Sequence, residues 1–197
     1  MSNLHGRLAF IRAAEQLKDV LRSGRTAQGR QESSAEHSWR LALMALTFAD
    51  LLAPIDLTKL LKLCILHDLG EALTGDVSAV AQIHQPPKAA EERAALQTLT
   101  ASLPNALQAE FLALWDEYEA ATSREAQSVK ALDKLETIIQ HNQGANSSDF
   151  DYAFNLEYGR RYTSADPLFV ALRELVDAET QQRLATTRPA ADAADGA

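Results

Sequence analysis

The chain has 197 residues, 46% of them hydrophobic, which is enough to bury one sizeable core, and its net charge is −8. This charge argues against a nucleic-acid surface and against adhesion to anionic lipid. No apolar stretch approaches the ~20 residues needed to cross a bilayer, and the first residues lack the apolar block of a signal peptide. We therefore expect a cytoplasmic protein with no membrane partner. The lone cysteine, Cys64, allows no internal disulfide.

The first 30 residues differ from the rest of the chain in being basic, with six Lys and Arg side chains against two acidic ones. Arg22, Arg25 and Arg30 fall within nine residues of one another. The planar guanidinium group suits phosphate oxygens, so this cluster could bind an anionic small molecule. The alternative is a solvated basic face.

The periodic segments are helical. A first amphipathic helix is predicted from apolar residues that repeat at three and four positions: Leu8, Ile11, Ala14, Leu17 and Leu21. A capping box at Ser33 to Glu36 predicts the start of a second helix, with His37 in its first turn. An inward stripe on that helix comprises His37, Leu41, Met44, Phe48 and Leu51. A third helix is predicted from Leu57 to about Leu69.

The helical pattern continues through most of the remaining chain. Helices are predicted for residues 88–103 and 105–120, from a capping box at Thr122 to Glu125 as far as about Gln143, and from Asp166-Pro167 to about Gln182. Residues 145–163 are predicted to form a loop with one short turn, and the composition from Ala185 onward predicts a disordered tail. We therefore predict an all-α protein with a single globular domain, residues 1–184, and a tail, residues 185–197. Trp39, Trp115 and Tyr118 are interpreted as packing residues, and His141 as incidental.

The main functional signal is the pair His67-Asp68 at the end of an apolar helical run. Imidazole and carboxylate are both good ligands for a divalent cation, and two adjacent side chains reach one ion only near a helix end. His37 and Asp133 are helical residues at the edge of apolar stripes, where a third and a fourth ligand could converge. A carboxylate at the position of Asp133 needs a partner, which a metal would supply.

The motifs resemble those of a known family. The ordered set His37, His67-Asp68 and Asp133 resembles the H…HD…D signature of the HD-domain metal-dependent phosphohydrolases. Three further stretches resemble the 5′-deoxynucleotidase branch of that superfamily: residues 32–37, 67–76 and 114–119. The likeness covers roughly residues 7 to 180, and several motifs in the right order are more specific than an HD pair alone.

The resemblance implies a helical HD-domain bundle, commonly a homodimer, that hydrolyses nucleoside 5′-monophosphates to nucleoside and phosphate with a divalent ion such as cobalt, manganese, magnesium or iron. The metal ligands of the family fall on His37, His67, Asp68 and Asp133. Its further acidic pair falls on Glu71 and Asp76.

The resemblance also implies where the nucleotide binds. The substrate-binding segment of the family falls on Asp76, Val77, Ser78 and Ala79, where only backbone contacts transfer because the side chains depart from the usual proline and threonine. The family pattern Arg-Thr-Gly-Trp aligns with residues 22–25, so that the phosphate-binding arginine is kept as Arg22. Arg25 replaces a tryptophan that helps to orient the nucleotide near its sugar.

Phosphate-ester hydrolysis needs an attacking oxygen, neutralisation of phosphoryl charge and a proton for the leaving alkoxide. We expect Glu71 to position or deprotonate the water, Asp76 to lie near the leaving 5′-oxygen or to help hold a second, weaker ion, and Arg22 to bind phosphate oxygens. A mixed His and carboxylate shell with open positions suits these metals better than a closed structural zinc site.

Three alternatives stay open. The enzyme could act on another small phosphate ester, or the domain could bind nucleotides without catalysis. A dinuclear HD oxygenase or phosphodiesterase would need two more histidines between the HD pair and the final aspartate, and only His84 lies in that interval.

Overall fold

The computed structural model of the chain describes residues 2–82 and 88–187. Their elements follow one another as α1 (Ser2–Ala14), a 3₁₀ helix (Glu15–Lys18), β1 (Leu21–Arg25), β2 (Gln31–Ser33), α2 (Ser34–Thr47), α3 (Leu57–Leu66), α4 (Glu71–Thr74), α5 (Ala79–Gln82), α6 (Ala89–Leu99), α7 (Asn105–Ala120), α8 (Arg124–Gln143), α9 (Tyr152–Glu157), α10 (Arg160–Thr163) and α11 (Pro167–Thr187). The predicted all-α class is confirmed. The short antiparallel β1–β2 hairpin was not predicted.

Helix α8 is the centre of the fold, and helices α2, α3, α7, α10 and α11 pack around it. Fourteen of its twenty residues are buried, because neighbours cover it on several sides. One apolar core joins α2, α3 and α8 through Leu41, Leu60 and Leu132. A second core, which includes Phe10, Leu17, Leu96 and Trp115, lies between the N-terminal segment and helices α6 and α7. Among the described residues, every helix is too short or too polar to span a lipid bilayer.

The predicted first helix is wrong in length, and only part of its predicted apolar stripe is buried. Helix α1 ends at Ala14, and Leu21 belongs to a strand. Leu8 and Ile11 are exposed, whereas Phe10 packs into the second core. Of the predicted stripe, Leu17 is buried in the second core, but it lies in the 3₁₀ helix after α1.

The second predicted helix begins as expected but ends earlier, and one of its residues is exposed rather than packed. The capping box is confirmed, since the Ser33 side chain accepts from the Glu36 amide while the Glu36 carboxylate accepts from the Ser33 amide. Helix α2 ends at Thr47, so Leu51 lies beyond it and is exposed. Trp39 is 65% exposed rather than packed, whereas Trp115 and Tyr118 are buried as predicted.

Two later segments also differ from prediction. The stretch expected to be a loop contains the short helices α9 and α10, and α11 continues to Thr187, three residues into the predicted tail. The other residues of that tail, 188–197, lie outside the described part of the chain, as does His84.

Candidate active site

Three helices bring the four predicted ligands together. His37 is fully buried in the first turn of α2, because the capping box begins the helix three residues earlier. His67 and Asp68 follow directly after α3, where the backbone turns, and Asp133 lies midway along α8. The His37 Nε2 atom is 3.1 Å from Asp133 Oδ1 and 3.7 Å from Asp68 Oδ2, and His67 Nε2 is 3.0 Å from Asp68 Oδ2.

The two imidazole rings are held so that their Nε2 atoms face this shared point. His67 Nδ1 lies 2.9 Å from the Cys64 carbonyl oxygen, and His37 Nδ1 lies against Glu136 Oε2. Because Nδ1 donates in both contacts, Nε2 of a neutral ring carries the lone pair. Both Nε2 atoms are buried and make no hydrogen bond.

The cluster has the composition and spacing of a metal site. His37, His67 and Asp133 each offer a ligand atom, and the three atoms lie within 4.8 Å of one another. Two unsatisfied imidazole nitrogens beside carboxylates are costly unless a cation is bound between them. The residues therefore fit a divalent metal ion.

Basic and hydroxyl groups surround the two carboxylates. Arg22 Nη1 lies 3.3 Å from Asp68 Oδ2, and Lys134 Nζ lies 2.8 Å from Asp133 Oδ2. The Tyr118 hydroxyl donates to the same Asp133 oxygen at 3.1 Å. Although burial opposes it, His67, His37 and Arg22 lower the pKa of Asp68, and Lys134 and His37 lower the pKa of Asp133. Both carboxylates are therefore ionised at neutral pH.

Glu71 and Asp76 form a second acidic pair beside the first. Glu71 is buried, and its Oε2 atom accepts a hydrogen bond of 2.7 Å from Ser34 Oγ. Burial, together with the charges of Asp68 and Asp76, raises the pKa of Glu71 to about 9. Burial also raises the pKa of Asp76, against the effect of Arg22. Carboxyl groups whose pKa values are raised in this way are candidates for acid and base roles.

A buried charged layer lies behind His37, and it was missed in the sequence. Glu136 is fully buried, with one oxygen on His37 Nδ1 and the other 3.2 Å from Arg40 Nε. Arg40 Nη1 also donates to Gln140 Oε1 at 2.6 Å. Glu32 joins this layer, and its pKa is raised to about 7 by burial and by Glu136. The available signal was the helical spacing, since Glu136 lies one turn after Asp133 on a buried helix.

The acidic pair opens into a cavity of about 730 Å³. Its walls include His67, Asp68 and Asp133, with Glu71 and the predicted substrate-contact residues Arg22, Asp76, Val77, Ser78 and Ala79. Arg25 does not line this cavity. Its Nη1 atom instead donates to the Gly29 carbonyl oxygen within the hairpin, at 2.7 Å. His141, interpreted above as incidental, is buried and contributes to the cavity wall.

Comparison with known proteins agrees with this geometry. A model of the HD domain family matches residues 14–173, most of the chain. The chain belongs to the HD domain family. It is also 36% identical to the 5′-deoxynucleotidase HDDC2 of Danio rerio over 138 residues, which are 69% of this chain and 68% of that relative. The Homo sapiens protein of the same name is 36% identical over 139 residues, 69% of this chain and 67% of its own length.

A solved structure of this HD-domain family shows the same fold over nearly the whole chain. It is described as a predicted metal-dependent phosphohydrolase from Magnetospirillum magnetotacticum MS-1, with 25% sequence identity and a TM-score of 0.79. The superposition covers 94% of this chain and 97% of that one. This HD-domain protein is therefore an enzyme, a hydrolase that depends on a divalent metal ion.

Proposed function

We propose that this enzyme hydrolyses nucleoside 5′-monophosphates, deoxyribonucleotides in particular, to nucleoside and phosphate. The observation that carries the proposal is the convergence of two imidazole nitrogens, which make no hydrogen bond, and two carboxylates, in a cluster of which His67, Asp68 and Asp133 line the cavity. The names of the HDDC2 relatives support the choice of substrate.

The four convergent side chains would hold the metal ion: His37, His67, Asp68 and Asp133. When bound, the ion supplies a more acidic water molecule and neutralises charge on the phosphoryl oxygens. Manganese, cobalt, iron and magnesium suit this mixed nitrogen and oxygen shell. The Cys64 carbonyl and Glu136 keep both rings in the ligating tautomer.

Residues around the metal cluster would perform the proton transfers. Without a cation Glu71 is protonated at neutral pH, and a cation bound nearby would offset the charges of Asp68 and Asp76 and release that proton. The ionised Glu71 would then take the proton of the attacking water, with its carboxylate oriented by the Ser34 hydroxyl. Asp76 would lie near the leaving 5′-oxygen, and burial, against the effect of Arg22, raises the pKa of its carboxyl group, which favours proton donation there. Arg22 reaches into the cavity beside Asp68 and provides a planar fork for the remaining phosphate oxygens.

The test is phosphate release from a panel of ribonucleoside and deoxyribonucleoside 5′-monophosphates, with added Mn²⁺, Co²⁺ or Mg²⁺ or with a chelator. We expect metal-dependent release that is lost in His67→Ala. A purified protein that binds metal but releases phosphate from no nucleotide in the panel would contradict the proposal. Release from other phosphate esters alone would favour the first alternative, and binding without release would favour the non-catalytic one.

The dinuclear alternative has less support. Among the described residues, two groups could hold an ion, and both include His37. The first group adds His67 and Asp133, and the second adds Glu32 and Glu136. Metal counting and oxygen uptake would test it.

We further propose that the protein is a homodimer. Trp39, Leu43 and Leu46 are exposed on α2 at spacings of four and three, which places three large apolar side chains on one helix face. An apolar stripe of this kind is typical of an interface, and a second copy would cover it. Light scattering should give twice the chain mass, and Leu43→Glu should reduce it to the mass of one chain. A cytoplasmic location and the absence of nucleic-acid partners stay predictions.

A further inference from the structure

One wall of the cavity is aromatic and has no role in the mechanism above. Phe150, Phe154, Tyr158 and Tyr162 recur at four-residue intervals, all four line the cavity, and all four are half-buried. They lie on and around the short helices α9 and α10, in the segment that was predicted to be a loop. Half-buried aromatic rings on a cavity wall present apolar surface to whatever enters it.

The wall is continuous with the metal cluster. Lys134 Nζ lies 2.8 Å from Asp133 Oδ2 and 5.2 Å from the centroid of the Tyr158 ring. The Tyr158 and Phe154 centroids are 5.5 Å apart, with the ring planes tilted by only 30°. A series of neighbouring side chains therefore connects the predicted metal ligand Asp133, through Lys134, to the rings of Tyr158 and Phe154.

The opposite end of the wall is reached along α8. Asp133, Thr137 and His141 are spaced four residues apart on α8 and all line the cavity, which separates the first from the last by ~12 Å along the axis. His141 packs edge-on against Phe150, with 4.8 Å between the ring centroids. Phe150 therefore marks the end of the aromatic wall that lies away from the metal cluster.

Buried contacts hold the aromatic wall in place. Arg173, a buried residue of α11, donates to the carbonyl oxygens of Tyr158 and Asn155, both at 2.6 Å. The Asp151 side chain caps α9 by accepting from the Phe154 amide at 3.2 Å. Because its backbone is fixed at both ends of α9, Phe154 can meet a ligand with little loss of conformational entropy.

We propose that this wall is the nucleobase subsite, with the base stacked on Phe154 next to Tyr158 while the 5′-phosphate reaches the metal cluster. The inference rests on the proposed nucleotidase function and adds the residues that recognise the base. The same cavity is also lined by the smaller side chains of Val77, Ser78 and Ala79. Stacking uses the π face that every base has, so the subsite should accept purines and pyrimidines alike.

The experiment compares Phe154→Ala with the parent enzyme on three substrates: dAMP, dTMP and 2-deoxyribose 5-phosphate, which has the phosphate and sugar but no base. We expect KM for dAMP and dTMP to rise about tenfold with kcat little changed, because stacking is lost equally from the ground state and the transition state. The value of kcat/KM for 2-deoxyribose 5-phosphate should stay within about twofold. Phe154→Leu, which keeps apolar bulk, should give a smaller rise in KM for the nucleotides and serves if Phe154→Ala does not fold.

The matched control is Leu156→Ala, which shortens a half-buried side chain of the same helix that does not line the cavity. It should leave the ratio of the nucleotide and sugar-phosphate kcat/KM values unchanged. The subsite is overturned if Phe154→Ala leaves the nucleotide KM unchanged, or if nucleotides and sugar phosphate lose kcat/KM equally. Failure of the proposed function has a different signature, since the parent enzyme itself would then hydrolyse no nucleotide.

Discussion

Glu136→Gln tests whether the buried layer behind His37 tunes the metal site. Glu136 is 0% exposed and accepts from His37 Nδ1 with one oxygen, while the other oxygen faces Arg40. Glutamine keeps the shape but removes the charge that makes the imidazole a stronger donor, and its amide NH₂ group can turn toward Nδ1 and disfavour the ligating tautomer. Losses of such outer carboxylates typically weaken metal binding ~10- to 100-fold, or about 1.4 to 2.7 kcal/mol.

The measurement is competition for Co²⁺ or Mn²⁺ between the protein and a fluorescent chelator. Glu110→Gln, which removes an exposed carboxylate paired with Lys62, is the control and should leave metal affinity unchanged. Thermal unfolding of the metal-free proteins shows whether Glu136→Gln still folds. A folded Glu136→Gln that binds metal within about twofold of the parent would refute the positioning role of Glu136.

Three further predictions concern proton transfer and binding. Glu71→Gln should lower kcat at least about 100-fold in phosphate-release assays while metal affinity measured by chelator competition is kept, and an unchanged kcat would rule Glu71 out as the base. Metal affinity should rise with pH between 6 and 9. Glu136 and Asp133 raise the pKa of His37 to about 10, although burial and Arg22 oppose this, and the pKa of Glu71 is about 9. Since protons must leave for the cation to bind, calorimetry in buffers of different ionisation enthalpy should show proton release, and an affinity independent of pH would contradict this account. Arg25→Ala should change KM for dAMP less than about twofold, because Arg25 does not line the cavity; a tenfold rise would show that its side chain contacts the nucleotide.

The four residues predicted to hold a metal ion could be picked out because each lies at a position that sequence periodicity reports well. His37 follows a capping box whose two hydrogen bonds fix where α2 begins, and His67-Asp68 lie where an apolar helical run ends. Asp133 borders an apolar stripe. The structure brings these side chains together, although the sequence gives no distance between segments so far apart in the chain.

What could not be predicted has physical reasons. Glu136 is buried beside the half-buried Arg40, and a pattern of apolar and polar residues has no way to mark a charged side chain that is buried next to its partner. Several elements are too short to show a period in the sequence. They are the strands β1 and β2, of five and three residues, and the helices α9 and α10, of six and four residues. Trp39 is exposed on α2, where burial depends on neighbours that the chain in isolation does not reveal.

The central claim is that one divalent ion, held by His37, His67, Asp68 and Asp133, is required for phosphate release. The most direct measurement is the metal content of the purified enzyme, taken together with phosphate release from dAMP, for the parent and for His67→Ala. We predict one tightly bound ion per chain in the parent, with loss of both the ion and turnover in His67→Ala. A His67→Ala protein that keeps its ion and still hydrolyses dAMP at the parent rate would contradict the account.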